Sequence, residues 1–232
     1  MKNLVILTGA GMSAERGIST FRDAGGLWDR YPVEQVATPE GYQRDPALVI
    51  NFYNERRKQL LDVTPNRGHE LLAELEKNFR VTVVTQNIDN LHERAGSSHI
   101  IHLHGELTKV CSSRDPYNPH YIKELKPEEY EVKLGDKAGD GTQLRPFIVW
   151  FGEAVPEIET AIQYVEKADI FVIIGTSLNV YPAAGLLHYV PREAAVYLID
   201  PKPVDTHTSR PVHVIQKGAS EGVAELKQLL GV

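Results

Sequence analysis

NLVILTGAGMSAERG, residues 3–17, runs four consecutive apolar residues, Leu4 to Leu7, straight into a glycine-rich turn. A short apolar run that stops at glycine reads as a strand buried on both faces. The same habit recurs at VTVVT (81–85), IFVIIG (170–175) and AVYLI (195–199), and most of these runs lead into segments of helical character. Repetition of that unit predicts parallel strands joined by crossover helices.

The expected fold is therefore α/β, a Rossmann-like doubly wound parallel sheet whose ligands collect at the carboxyl ends of its strands. Two stretches break the rhythm. Residues 31–68 hold no strand run, and DPALVINFYNERRKQLLD (45–62) places Leu48, Val49, Phe52, Leu60 and Leu61 at helical spacing. Residues 106–145 are rich in charge, Gly and Pro. Both read as insertions that together build a second, smaller module, leaving 1–30, 69–105 and 146–232 to the sheet domain.

The loop after the first strand carries Gly9, Gly11 and Gly17. A strand, a glycine turn and a helix start make an anion site, because free N–H groups and the helix dipole face the ligand, so a phosphate is expected there. The spacing is G-x-G-x5-G, not the dehydrogenase G-x-G-x-x-G, and no second strand with an acidic end follows within about twenty residues. A turn that only packs helix on strand is the competing reading. GISTFRD follows directly and puts Phe21 and Arg22 where a loop covers phosphates.

Across 232 residues the net charge is -6 and 42% are hydrophobic, as in an ordinary globular protein, with no chain-wide nucleic-acid surface. No apolar run is long enough to span a membrane or to serve as a signal-peptide core. A single cysteine, Cys111, excludes an internal disulfide and suits a reducing cytoplasm.

Five segments, GAGMSAERGISTFR (9–22), TQNIDNLHERAG (85–96), HLHGEL (102–107), RPFIVWFGE (145–153) and GTSLNVYPAAG (175–185), together resemble the sirtuins, the NAD-dependent protein-lysine deacylases. The pair ATPEGYQRDP (37–46) and FYNERR (52–57) looks most like the bacterial members and like the class that removes acidic acyl groups. The resemblance implies that the acyl oxygen attacks C1′ of the nicotinamide ribose as nicotinamide leaves, and that free lysine and O-acyl-ADP-ribose result.

By that resemblance His104, before Gly105, is the catalytic base, while His99 and His102 keep a structural reading. Asn87 and Asp89 match the nicotinamide pocket and Gln86 lies by the ribose; capping of the following helix is a compatible role for Asn87. Gly9, Ala10 and Gly11 belong to the first cofactor loop. Gly175, Thr176 and Ser177 match cofactor contacts at a strand end, and Gly218 and Ala219 resemble the loop that touches adenine. Asp200 stands where the family more often has Asn; a carboxylate there accepts ribose hydroxyl protons and repels a 2′-phosphate, so NAD is expected over NADP. The substrate peptide is expected to add as a strand between Phe151, Gly152 and Glu153 on one side and Asn179, Val180 and Tyr181 on the other, with Val149 lining the lysine tunnel.

Tyr53 and Arg56, three residues apart on a predicted helix, share a face and suit the carboxylate of a succinyl-lysine. Ala37 resembles the small residue that leaves room for a longer acyl chain. Against this stands the plainer reading of a core tyrosine and a surface arginine. Most sirtuins bind a structural zinc with four cysteines; one cysteine cannot, so no metal is expected, and Tyr117, Tyr121, Ile122, Leu125, Tyr130 and Leu134 are the expected apolar glue of the module. An ADP-ribosyltransferase, or an NAD or ADP-ribose binding module without deacylase activity, remains the alternative to a deacylase acting on acylated lysines of proteins.

Overall fold

A computed structural model describes residues 1–16 and 30–232. Six strands form a parallel sheet: β1 (Asn3–Thr8), β2 (Arg80–Thr85), β3 (Ile100–His102), β7 (Ile170–Ile174), β8 (Ala195–Ile199) and β9 (His213–Ile215), in the order β3-β2-β1-β7-β8-β9. The chain winds outward from β1 through β2 to β3, then returns to β7 on the other side of β1. The switch point lies between β1 and β7, which pair in parallel from Leu4 with Ile170 to Thr8 with Ile174. Their carboxyl ends open the crevice in which doubly wound sheets hold ligands.

Both faces of this sheet are covered, as the unbroken apolar runs require. Helices α4 (Arg67–Glu74) and α7 (Ala219–Leu230) bury Leu71, Leu72, Val223 and Leu226 against Leu4, Ile6, Val172 and Ile174. On the other face α6 (Ile158–Val165) and a 3-10 segment (Ala183–Tyr189) bury Ala161, Val165, Leu186 and Leu187 against Val5, Leu7, Phe171 and Ile173.

The smaller module combines three helices, α1 (Val33–Val36), α2 (Pro39–Arg44) and α3 (Pro46–Leu61), with an antiparallel sheet β5-β4-β6, where β4 is Gly105–Ser112, β5 Lys123–Glu124 and β6 Leu144–Ile148. The local chemistry explains α2 and α3: Thr38 and Asp45 accept from Gly41 N (3.0 Å) and Leu48 N (3.0 Å), and a proline follows each cap. Because β6 pairs with β4, a division of the chain at 145/146 cuts through a strand. The junction packs Val36, Val49, Phe52 and Tyr53 against Leu91, Leu107, Ile148 and Trp150.

The apolar glue expected of the module differs from what is observed. Ile50, Val110 and Val132 form its inner cluster, joined by Leu125 from the expected set, while Leu134 is 57% exposed. Strand pairing turns Val110 inward and Asn54 holds the Val132 backbone, neither of which composition alone reveals. Much of the rest is polar. Ser112 Oγ donates to Asp140 (2.5 Å) and accepts from the N–H groups of Arg114 (3.0 Å) and Asp115 (2.9 Å).

Candidate active site

The two loops at the switch point lie backbone against backbone. Gly9 N donates to Ile174 O (2.9 Å) and Gly11 N to Gly175 O (2.8 Å). A Cβ on Gly9 would stand 2.7 Å from Gly175 O, and one on Gly11 2.6 Å from Gly175 Cα. These glycines therefore permit close approach, and their N–H groups are not the free anion donors expected of them. The turn continues as short 3-10 segments, Ala10–Met12 and Ala14–Arg16, not as an α-helix at this point. Phe21 and Arg22 lie outside the described residues.

At the end of β2, Asn87 N donates to Thr85 Oγ1 (3.0 Å) and its side-chain amide donates to Gly9 O (2.9 Å). Asn87 is thus no helix cap. The short helix α5 (Leu91–Arg94) takes that service from Asp89, whose Oδ1 accepts from Leu91 N (3.0 Å) and whose Oδ2 accepts from Ser13 Oγ (3.0 Å). Burial raises the Asp89 pKa against the pull of those two donors. Gln86 reaches across to Thr176, donating to its Oγ1 at 3.1 Å, so the ends of β2 and β7 are tied.

Strand β3 stops at His102, and His104 sits in the turn before Gly105, whose φ is +85°. His104 Nδ1 lies 3.2 Å from Gln86 O and His102 Nδ1 3.2 Å from Asn87 O, so both imidazoles hang from successive carbonyls. A carbonyl only accepts, so Nδ1 carries the proton and Nε2 of His104 keeps a free lone pair. Burial lowers the His104 pKa, with the Gln86 carbonyl opposing it.

Val149 N donates to His104 O (2.9 Å) and Phe151 N to Ala37 O (3.0 Å), which threads RPFIVWFGE between His104 and the smaller module. The Glu153 carboxylate takes both Arg145 N–H arms (3.1 and 3.0 Å) and Trp150 N (2.8 Å). Phe151 and Gly152 are exposed, as are Ser177, Asn179 and Tyr181, while Val149 and Val180 are half-buried. Asp200 ends β8 with Oδ1 accepting from Lys202 N (2.8 Å), and burial raises its pKa. Gly218 and Ala219 begin α7, where the Glu15 carboxylate accepts from Ser220 N (3.0 Å).

The two adjacent arginines of FYNERR divide. Arg57 is buried and donates to Tyr130 O (2.8 Å), Leu107 O (3.3 Å) and Asn54 Oδ1 (2.6 Å). Arg56 lies over the Phe52 ring (5.0 Å) and lacks hydrogen-bond partners for its buried Nε and Nη1 among the described residues. Tyr53 Oη accepts from Trp150 Nε1 (3.1 Å), which leaves its own proton to give. Ala37, Tyr53 and Trp150 share one apolar cluster.

Several polar partners were not singled out from sequence. Ser13, His69, Thr8 and His92 form a buried network beneath Asp89: Ser13 Oγ lies 3.4 Å from His69 Nε2, and Thr8 Oγ1 3.0 Å from His92 Nε2. They come from four separate segments, and only the polar ends of β1 and β2 hinted at them. The lone thiol, Cys111, is buried, and burial pushes its pKa up to about 12. The residues present do not fit a four-cysteine zinc site.

Residues 9–182 match the model of the Sir2 family. The chain belongs to the Sir2 family. An NAD-dependent protein deacylase of Bacteroides thetaiotaomicron is 91% identical to this Sir2 chain over 230 residues, covering 99% of this chain and 98% of the relative. The crystal structure of a Sir2 homologue–NAD complex superposes with a TM-score of 0.86 at 38% identity, covering 99% of this chain and 90% of that one. A Sir2 protein with a deacetylated p53 peptide and 3′-O-acetyl-ADP-ribose gives 0.79 at 28% identity, covering 99% and 94%.

Proposed function

We propose that this Sir2 family protein is an NAD-dependent protein-lysine deacylase that accepts succinyl-lysine as well as acetyl-lysine. The named relative and the NAD-bound homologue support the cofactor and the general activity. The crevice suits NAD because both glycine loops bring main chain to one strand-end opening, where Asn87 Oδ1 accepts no hydrogen bond among the described residues. When bound, NAD supplies an activated ribose carbon to which the acyl oxygen adds as nicotinamide departs. Asn87 and Asp89 orient the nicotinamide carboxamide, Gln86 faces the ribose, and the Asp200 carboxylate accepts hydrogen bonds from ribose hydroxyls. Gly9, Ala10, Gly11, Gly175, Thr176, Ser177, Gly218 and Ala219 frame the rest of the cofactor.

His104 is the general base: its Nδ1–H is committed to Gln86 O, and its lone pair on Nε2 is free to take a ribose hydroxyl proton. The peptide runs between Phe151–Gly152 and Asn179–Tyr181 as an added strand, and Val149 lines the lysine path.

The observation that carries the acyl preference is the pair of buried, unpartnered donors on Arg56. Glu55 lies 3.7 Å from Nη2 alone, so two buried donors of Arg56 stay without acceptors among the described residues, and a carboxylate on the acyl chain would complete them. Tyr53 adds a donor and Ala37 leaves room. A charge-assisted hydrogen bond contributes about 1.5–3 kcal/mol, or at least about tenfold in rate. With NAD and matched acetyl-lysine and succinyl-lysine peptides, Arg56→Met is expected to depress desuccinylation at least tenfold more than deacetylation. Equal loss on both peptides would refute the carboxylate role.

A further inference from the structure

His102 takes no part in the chemistry assigned to His104, yet it is tightly organised. Its Nδ1 donates to Asn87 O, so Nε2 points the other way, toward two carboxylates, and in the metal-free protein it carries the proton donated to Glu93. Glu93 Oε1 makes a short hydrogen bond to that Nε2, and Glu106 Oε1 lies 4.0 Å from it. Glu106 Oε2 is already held by Lys109 (2.7 Å), which fixes Oε1 on the histidine side. One ligand atom from each of the three residues lies within 4.8 Å of the others.

We propose that Glu93, His102 and Glu106 form a binding site for a divalent transition-metal ion, with zinc the best match. The ligands come from α5, the end of β3 and the start of β4, three elements pinned by sheet pairing and core packing. One imidazole and two carboxylates are a mixed N/O set that suits such ions, and the locked Nδ1–H is the outer contact that orients a metal-binding histidine. Ligand atoms around a tetrahedral ion lie about 3.3 Å apart, so closure asks for a shift of about 1 Å from the carboxylates. The histidine side chain is 8% exposed, while Glu93 and Glu106 are 38% and 24% exposed, which leaves one side open for water as a fourth ligand. An incoming dication would take the place of the Nε2 proton between these two carboxylates. The site owes nothing to cysteine, and its chemistry is distinct from the absent four-cysteine centre.

The test is calorimetric titration of zinc into the chelator-stripped full chain, with Glu93→Gln, Glu106→Gln, His102→Gln and Cys111→Ser beside the wild type. One ion per chain is expected in the wild type and in Cys111→Ser, binding at least about tenfold more weakly in the other three. Zinc should raise the wild-type Tm, and that rise should vanish in Glu93→Gln and Glu106→Gln. A second readout needs no variant: cobalt added to labelled wild-type protein should shift the His102 imidazole resonances most. No stoichiometric binding, unchanged affinity in all three ligand variants, or shifts centred on another histidine would overturn the site.

Discussion

Arg56 and Arg57 adjoin in the chain, but the step of about 100° between successive residues of α3 gives them different surroundings. Arg57 faces inward, where carbonyls replace water around its charge, and burial lowers its pKa to about 10, so it stays charged at neutral pH. Arg56, the residue proposed to meet the acyl carboxylate, keeps two buried donors without partners among the described residues. Tyr53 joins the two environments through Trp150. Tyr53→Phe strands the buried indole N–H, so urea denaturation should show a loss of about 1–3 kcal/mol, with desuccinylation reduced more than deacetylation. Asp200 is proposed to meet the ribose end of the crevice; on that assignment replacing NAD by NADP should lower turnover sharply, and Asp200→Asn should narrow the difference. Comparable turnover of the wild type with both cofactors would defeat that assignment.

Among elements, α3 acts as the clamp of the smaller module. Arg57 reaches β4 through Leu107 O and the 130–132 segment through Tyr130 O, and Asn54 exchanges two bonds with Val132 (2.8 and 2.9 Å). Arg57→Ala leaves those buried carbonyls unpaired and opens a cavity, so the unfolding free energy should fall by about 2–4 kcal/mol. A second element-scale contact is the crossing of the loops after β1 and β7. Gly175 has φ +64°, and a Cβ there would meet Met12 N at 2.4 Å. Gly175→Ala should destabilise the chain by about 2 kcal/mol or more and weaken NAD binding, both visible in a thermal shift series with and without NAD. The helical insertion was legible from spacing alone. Its buried face was not, because Tyr53, Asn54 and Arg57 join Val49, Phe52 and Leu60 there, and polar residues are invisible to an apolar pattern.

For the whole molecule, burial of histidines beneath the site sets an acid limit. His69 is held neutral, its pKa lowered by burial to about 4 from an ordinary 6.5. Between those values the unfolded chain takes up a proton that the folded chain refuses. The stability due to neutral His69 is therefore present above pH 6.5 and is lost progressively toward pH 4. Denaturation midpoints measured from pH 7.5 to 4.5 should fall, and His69→Gln should flatten that fall; an unchanged slope would place the acid sensitivity elsewhere.

By itself, the sequence determined the parallel sheet, the glycine loops at its strand ends, the Sir2 resemblance and the impossibility of a four-cysteine zinc centre. Those features are local: apolar runs, turn residues, motif spacing and a count of thiols. Only the tertiary structure decided that Gly9 and Gly11 serve close backbone crossing, that Asp89 and not Asn87 holds the first N–H of α5, that Glu153 turns inward to Arg145, and that Arg56 keeps Nε and Nη1 buried without acceptors among the described residues. It also gathered Glu93, His102 and Glu106 at one point. Each of these depends on hydrogen-bond partners far apart in the chain, and a polar side chain's role is set by which partner the fold brings to it.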